Sequence, residues 1–364
     1  MSLARRLMNG EIGGLNVSID ESRYSADNGA AMIAMESAAE LYSIAQEFYN
    51  YEQADISAIV EGVALEGSQY EPVAEASIKN AFLKIKEAMQ KLWAKIKAWF
   101  KNVGVFLDAL FKNAKDFVKK YKDQISGLKN VKLENVKIWD YNNEAIDTEY
   151  DVAKASDGID KDIQNCYKNI TSSDTDTKEI EAFNKGREDD SAFDKDIEKL
   201  NEVIDTKLYE IASNNNASTS EEFSKYVYNV FRGSSSTAEL DKPTVTITEV
   251  DIKKFASVIE ASKGVQSIKT VQGKVDAMFK KALATVNKIE SQCNNAAKSS
   301  TGEQSTGYTR YAKLAQMTHK SLSKQSTIVT TFLNGQKAAM KERDTAYKTV
   351  ISMGLRYSNR KSAK

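Results

Sequence analysis

Apolar residues recur at alternating steps of four and three between Ile78 and Leu110, and this stripe constrains the fold more than any other feature. Its members are Ile78, Phe82, Ile85, Met89, Leu92, Ile96, Trp99, Val103, Phe106 and Leu110. Such spacing keeps one helix face against a partner, as the a and d positions of a heptad do. Because Pro72 suits a first helical turn and Gly127 suits the residue after a last turn, we predict one long helix between them.

The opposite face of this predicted helix is rich in lysine. Between Lys79 and Lys122 the chain holds twelve lysines against Glu87, Asp108 and Asp116, a net charge of +9. A polyanion such as DNA would be held by positive charges spaced along such a face. The candidate contacts are Lys84, Lys91, Lys95, Lys101, Lys112 and Lys119.

Three interpretations of this helix stay open from the sequence. Its lysines are simply solvated on the outside of a bundle, or they contact a polyanion, or the helix lies in a membrane interface. In the membrane interpretation Trp93, Trp99, Phe100 and Phe106 would enter the lipid. The charge-free apolar run around it, residues 103–107, is too short to span a bilayer.

Acidic and basic segments alternate along the chain, although 51 basic and 51 acidic residues give a formal net charge of zero. The net charge is −11 in residues 17–75, −12 in residues 140–205 and +14 in residues 251–364. An acidic segment that folds back on the basic helix is the simplest arrangement. We divide the chain into an acidic N-terminal segment that would serve as a propeptide (1–76), the long basic helix (77–127), an acidic middle region (128–250) and a basic C-terminal helical hairpin (251–364).

The composition favours helix over sheet, since the 364 residues include only two prolines. In the middle region we predict helices at 145–170 and 190–212. Alternating β-branched residues predict two short strands, one at Val131–Ile138 and its distant mate at Val245–Val250. The predicted fold is all-α: an elongated helical bundle with long amphipathic helices, a C-terminal helical hairpin and at most one small two-stranded element.

Signatures of catalysis, metal binding and cofactor binding are missing from the sequence. His319 is the only histidine, and Cys166 and Cys293 are lone and distant, so neither a zinc site nor a nucleophilic triad is indicated. No phosphate-binding glycine loop or nucleophile elbow is present. We therefore predict a protein that is not an enzyme and that takes no cofactor.

Three tripeptides in the acidic N-terminal segment end in glutamate after a small and an apolar residue. They are Ala34-Met35-Glu36, Ala38-Ala39-Glu40 and Ala64-Leu65-Glu66. With an acidic leader ahead of a basic helical body, this layout resembles internal head proteins of large tailed bacteriophages. The resemblance implies cleavage by a prohead protease, with Glu36, Glu40 and Glu66 as candidate positions and a leader that ends near Glu66.

The resemblance also implies a location in the virion, after assembly in the host cytoplasm. We therefore expect a non-enzymatic structural virion protein, packed in or against a phage head. Its expected partners are DNA or other virion proteins, and a second copy of the chain could pair through the heptad seam of residues 78–110. The alternative function is that of a membrane-active amphipathic helical protein, either pore-forming or bound to the membrane surface.

Overall fold

The structure is a computed structural model, and it describes residues 71–155, 159–163, 165, 191–232, 244–299 and 305–362. Helix makes up 85% of the interpretable structure, which confirms the all-α class. The long elements are α1 (Glu71–Lys120), α8 (Gly264–Ser299) and α9 (Ser305–Ser362). The shorter ones are α2 (Lys122–Ser126), β1 (Lys132–Lys137), α3 (Asn143–Asp147), α4 (Ser191–Glu202), α5 (Leu208–Ala212), α6 (Ser220–Arg232), β2 (Thr244–Thr248) and α7 (Glu249–Ala261).

The predicted long basic helix is present as α1 and α2, with a one-residue interruption at Tyr121. The predicted seam is buried from Phe82 to Val103, but over its full length the buried face follows an eleven-residue repeat and departs from the heptad after Val103. Two sets of buried residues show this repeat: Ile85, Ile96, Leu107 and Val118, and also Leu92, Val103, Ala114 and Ile125. Eleven residues in three turns is close to the period of a straight helix, whereas a heptad drifts around it. As a result the buried positions after Val103 are Leu107 and Phe111, while Phe106 and Leu110 are only half-buried.

The face of α1 that carries the seam is covered within the same chain, by α8 and α9. Helix α8 runs antiparallel to α1, because Lys86 pairs with Glu290 near one end and Asp108 pairs with Lys269 further along. The sequence-predicted hairpin of residues 251–364 is therefore formed by α8 and α9, with α7 ahead of it. Self-association through the seam stays a prediction.

Helix α9 lies at the centre of the molecule and is enclosed by α1, α4, α6, α7 and α8. An amphipathic hairpin arm would expose its polar side, but here the polar side chains are buried as well. Those with at most 8% of their surface exposed include Gln316, Thr318, His319, Ser321, Gln325, Asn334, Gln336, Glu342, Arg343 and Asp344. Several neighbouring elements supply their partners: Gln336 Nε2, for example, donates to the carbonyl oxygens of Ile146 and Thr148, each at 2.8 Å.

The predicted two-stranded element is confirmed. Strands β1 and β2 pair antiparallel, with Leu133 opposite Ile247 and Val136 opposite Val245. A bulge between Leu133 and Val136 contains Asn135 at a φ of 58°. The two strands bracket the acidic middle region, and the second leads directly into α7, whose N-terminus is capped by Thr248.

The middle region matches its prediction in part. Residues 191–212 are helical as expected, but the helix contains a π-helical turn at Val203–Lys207. The helix predicted at 145–170 is not continuous: α3 ends at Asp147, a short 3₁₀ helix follows at Val152–Ala155, and residues 159–163 and 165 are helical again. Residues 166–170 lie outside the described part of the chain. Tyr150, stacked on Phe332 of α9 with ring centroids 4.1 Å apart, lies in the extended connection between α3 and the 3₁₀ helix. None of the helices within the described ranges is long and apolar enough to cross a membrane.

Candidate polyanion interface

Helix α1 presents its lysines on the side that faces away from the bundle. Its apolar side packs on α8 and α9, so the polar side is fixed outward from Lys79 to Lys120. All six predicted contact residues are exposed: Lys84, Lys91, Lys95, Lys101, Lys112 and Lys119. We call this surface the lysine face.

Lysines at the border of α1 behave differently from those on the lysine face. Lys86 Nζ lies 2.8 Å from Glu290 Oε2 of α8, and Lys115 Nζ donates to the Ser262 carbonyl oxygen at 3.3 Å. Border lysines therefore stabilise the packing of α1 on its neighbours. In the described part of the chain, Lys84, Lys91, Lys101, Lys112 and Lys119 form no ion pair. Their charges are thus available to an anionic ligand.

A narrow apolar stripe runs along the middle of the lysine face. Val105 is 68% exposed and Leu83 is 51% exposed, so α1 carries two of the four large apolar side chains that are exposed in the described part of the chain. Exposed alanines continue the stripe at positions 94, 98 and 109. The charge and heptad patterns do not reveal this stripe, although the spacing of 94, 98, 105 and 109 places them on one side of a helix.

The aromatic residues proposed for membrane insertion are engaged within the bundle. Trp99 and Phe100 are buried, and Trp93 is half-buried, with its indole Nε1 donating to Asp276 Oδ1 at 2.8 Å. Trp93 also stacks on Phe279, with ring centroids 6.2 Å apart. Phe106 is half-buried beneath the ammonium groups of two lysines of α9. In this arrangement these rings belong to the core, so insertion into lipid would require the bundle to open.

A cavity of about 370 Å³ lies between the 3₁₀ helix, α8 and α9. Its polar lining includes Ser321 and Gln325 of α9, and Gln325 Nε2 donates to Ser321 Oγ at 2.9 Å. At the rim Lys281 of α8 forms an ion pair with Asp160. No histidine or cysteine is among the described residues that line it. The cavity thus offers hydrogen-bonding and charged groups from several elements.

The single histidine is a core residue. His319 is 1% exposed on α9, and desolvation by burial lowers the pKa of its imidazole to about 4. The side chain is therefore neutral near pH 7. Within the described residues no group of three or more His, Cys, Asp or Glu side chains is arranged to hold a metal ion.

No protein family, curated protein sequence or solved structure matches this chain. The candidate processing positions Glu36, Glu40 and Glu66, and the predicted return of the acidic segment onto the basic helix, lie outside the described residues.

Proposed function

We propose that the chain is a non-enzymatic structural protein of a phage virion that holds DNA along the lysine face of α1. The observation that carries this proposal is the set of six exposed lysines on the outward-facing side of one continuous helix. Mixed charges would be enough to keep a bundle surface solvated. Helix α1 instead concentrates positive charge on a side where the packing of the bundle does not require it.

The length of the lysine face suits an extended polyanion. From Lys84 to Lys119 the helix rises roughly 50 Å at ~1.5 Å per residue. A DNA duplex presents one phosphate charge per ~1.7 Å of its axis. Because the lysines lie on a rigid rod, they can meet several phosphates at once without ordering a flexible loop. Contacts of this kind carry no sequence information, so the proposed binding is independent of DNA sequence.

The salt dependence of DNA binding tests this proposal. Neutralising about six phosphates predicts that the logarithm of the binding constant falls with the logarithm of salt concentration at a slope of about −5. In the triple variant K91Q/K101Q/K112Q the magnitude of that slope should decrease by about 3. The measurement is fluorescence anisotropy of a labelled duplex titrated with the full chain between low and physiological salt.

A matched control removes the same charge elsewhere. K199Q/K207Q/K225Q replaces three exposed lysines of the acidic helices α4 to α6 and their π-helical turn. Its slope should stay within one unit of the unmodified protein. Equal losses in both variants would show that net charge alone governs binding and would overturn the lysine face as the site.

Location in the virion and proteolytic maturation are the second part of this proposal. They are supported by the resemblance of the acidic leader and its Glu-ending tripeptides to phage head proteins. Intact mass and N-terminal sequencing of the protein from its native source test them. An N-terminus at Gly67 would support maturation after Glu66, and an N-terminus directly after Glu36 or Glu40 would support cleavage at those positions. A chain from native particles that still begins at Met1 or Ser2 would rule out proteolytic maturation.

A further inference from the structure

We propose that the acidic N-terminal segment, residues 17–70, packs along the lysine face of α1 and competes there with DNA. The competition rests on the proposed function, but the packing of the segment on α1 does not. Three observations carry the inference: the charges of the two partners, the apolar stripe in the middle of the lysine face, and the direct connection of the segment to α1.

The charges are complementary. Residues 17–70 contain ten carboxylates against Arg23, while the lysine face presents six exposed lysines. Among the described residues, Lys84, Lys91, Lys101, Lys112 and Lys119 have no carboxylate partner. An acidic helix laid along α1 would supply several such partners along its length, and a network of several charges contributes more than isolated surface pairs.

The apolar stripe gives the contact a second, non-electrostatic component. Leu83 and Val105 are exposed in the middle of the lysine face, with alanines between and beyond them that allow a second helix to approach closely. The acidic segment has apolar residues at steps of three and four: Leu41, Ile44, Phe48 and Tyr51. A helix with apolar residues inside and carboxylates at its borders is the complement of a stripe bordered by lysines.

The connection makes the contact intramolecular. The segment runs directly into α1 at Glu71, so its effective concentration at the lysine face is on the order of millimolar. Gly67 and Ser68 supply residues suited to the turn that reverses the chain direction. As a helix, residues 31–66 would extend roughly 54 Å, while the stripe from Leu83 to Ala109 extends roughly 39 Å. The segment is therefore long enough to cover the stripe.

Zero-length carbodiimide cross-linking of the full chain tests the packing. We expect amide bonds, each formed from a carboxylate and a lysine amine with loss of water, between Glu36, Glu40, Glu47 or Glu52 and lysines of the lysine face. A mixture of ¹⁴N- and ¹⁵N-labelled protein distinguishes the origin of each link in mass spectra. Links within one isotope support the proposal. Mixed-isotope links would show that a second copy covers the face, and links only to other lysines would show that the segment packs elsewhere, so either would overturn it.

DNA binding by full-length charge variants tests the competition. E36Q/E40Q/E47Q/E52Q should raise affinity for a duplex at low salt by about tenfold or more, because the cover is weakened. The control E198Q/E202Q/E210Q/E221Q changes net charge equally on the acidic helices α4 to α6, and its affinity should rise by much less. Equal gains would overturn competition. Cross-links to α1 without any DNA binding would leave the packing in place and reject the proposed function.

Discussion

Arg232 and Glu342 show how single residues hold this bundle together. Arg232 Nε donates to Glu342 Oε2 at 2.8 Å and Nη2 donates to Oε1 at 2.7 Å, a bidentate geometry that links α6 to α9. Both side chains are at most 3% exposed. The guanidinium also lies 3.7 Å from the centroid of the Tyr228 ring. Each charge is therefore satisfied by the other and has almost no access to water.

Removing one charge of this pair should destabilise the fold strongly. Glu342→Gln keeps the shape but leaves the Arg232 guanidinium buried without a counter-charge, which costs about 3–5 kcal/mol of the free energy of unfolding. Unfolding in guanidinium chloride, followed by circular dichroism, measures the loss of stability. Glu198→Gln, on the exposed side of α4, is the control and should change stability by less than about 0.5 kcal/mol. Similar small effects in both variants would contradict the assigned role of the pair.

His319 makes stability depend on pH in a defined direction. Its pKa is about 4 in the folded protein and 6.5 in the reference state, so between these values the unfolded chain binds a proton that the folded chain does not. The free energy of unfolding should therefore fall as the pH drops from 6.5 towards 4, by about 3 kcal/mol from this residue. The variant His319→Gln lacks the titrating group. Identical pH profiles of urea unfolding for both proteins would contradict this assignment.

At the scale of elements, two glycines in long helices have opposite surroundings. A Cβ atom added at Gly335 of α9 would overlap Cγ1 of Val227 on α6, whereas one added at Gly104 of α1 meets nothing within 4 Å. The close contact of α9 with α6 therefore depends on the missing side chain. The glycine in α1 has no such packing role.

Alanine substitution should separate these two cases. Gly104→Ala should stabilise the protein by up to about 1 kcal/mol through higher helix propensity. Gly335→Ala gains the same propensity but should be destabilising overall, because overpacking costs about 1–3 kcal/mol. Thermal unfolding measures both. Adding Val227→Ala to Gly335→Ala removes the overlapping methyl group, and failure of that double variant to improve on Gly335→Ala would argue against the contact.

The elements differ in how far the sequence predicts them. Helix α1 and the pairing of β1 with β2 were predictable because their patterns are local: apolar spacing in one, alternating β-branched residues in the other. Helix α9 was predictable as a helix but not as the centre of the fold. Its buried Gln336 and Glu342 resemble surface residues in sequence, and their partners lie 190 and 110 residues away. Contacts between residues so far apart along the chain leave no periodic pattern in the sequence.

The lysine face was likewise predictable only in the features that depend on local sequence. Its six lysines were predictable from charge and spacing, since exposure follows once the apolar side is fixed. The change from a heptad to an eleven-residue repeat was not, because it depends on how straight α1 lies against α8 and α9. The exposed stripe around Val105 was also missed, since only the fold shows which apolar residues stay uncovered.

At the scale of the whole molecule, the central position of α9 predicts the order of hydrogen exchange. Amides of α9 from Tyr311 to Ile351 should exchange only through global unfolding, because all the helices around them must separate first. The short α2, largely exposed apart from Ile125, should exchange by local opening. Native-state exchange followed by mass spectrometry measures both. Early exchange in the middle of α9 would show that the bundle opens around it.

The central helix is also the last of the described elements to be synthesised. Once α1 is complete, residues 121–362 take about 12–48 s to translate at about 5–20 residues per second. For that time α1 exists without the complete set of helices that cover Ile85, Ile96 and Leu107. The bundle therefore cannot close before α9 has been synthesised, and until then the nascent chain must keep a long apolar face from aggregating. The helices that surround α9 wait for the element that joins them.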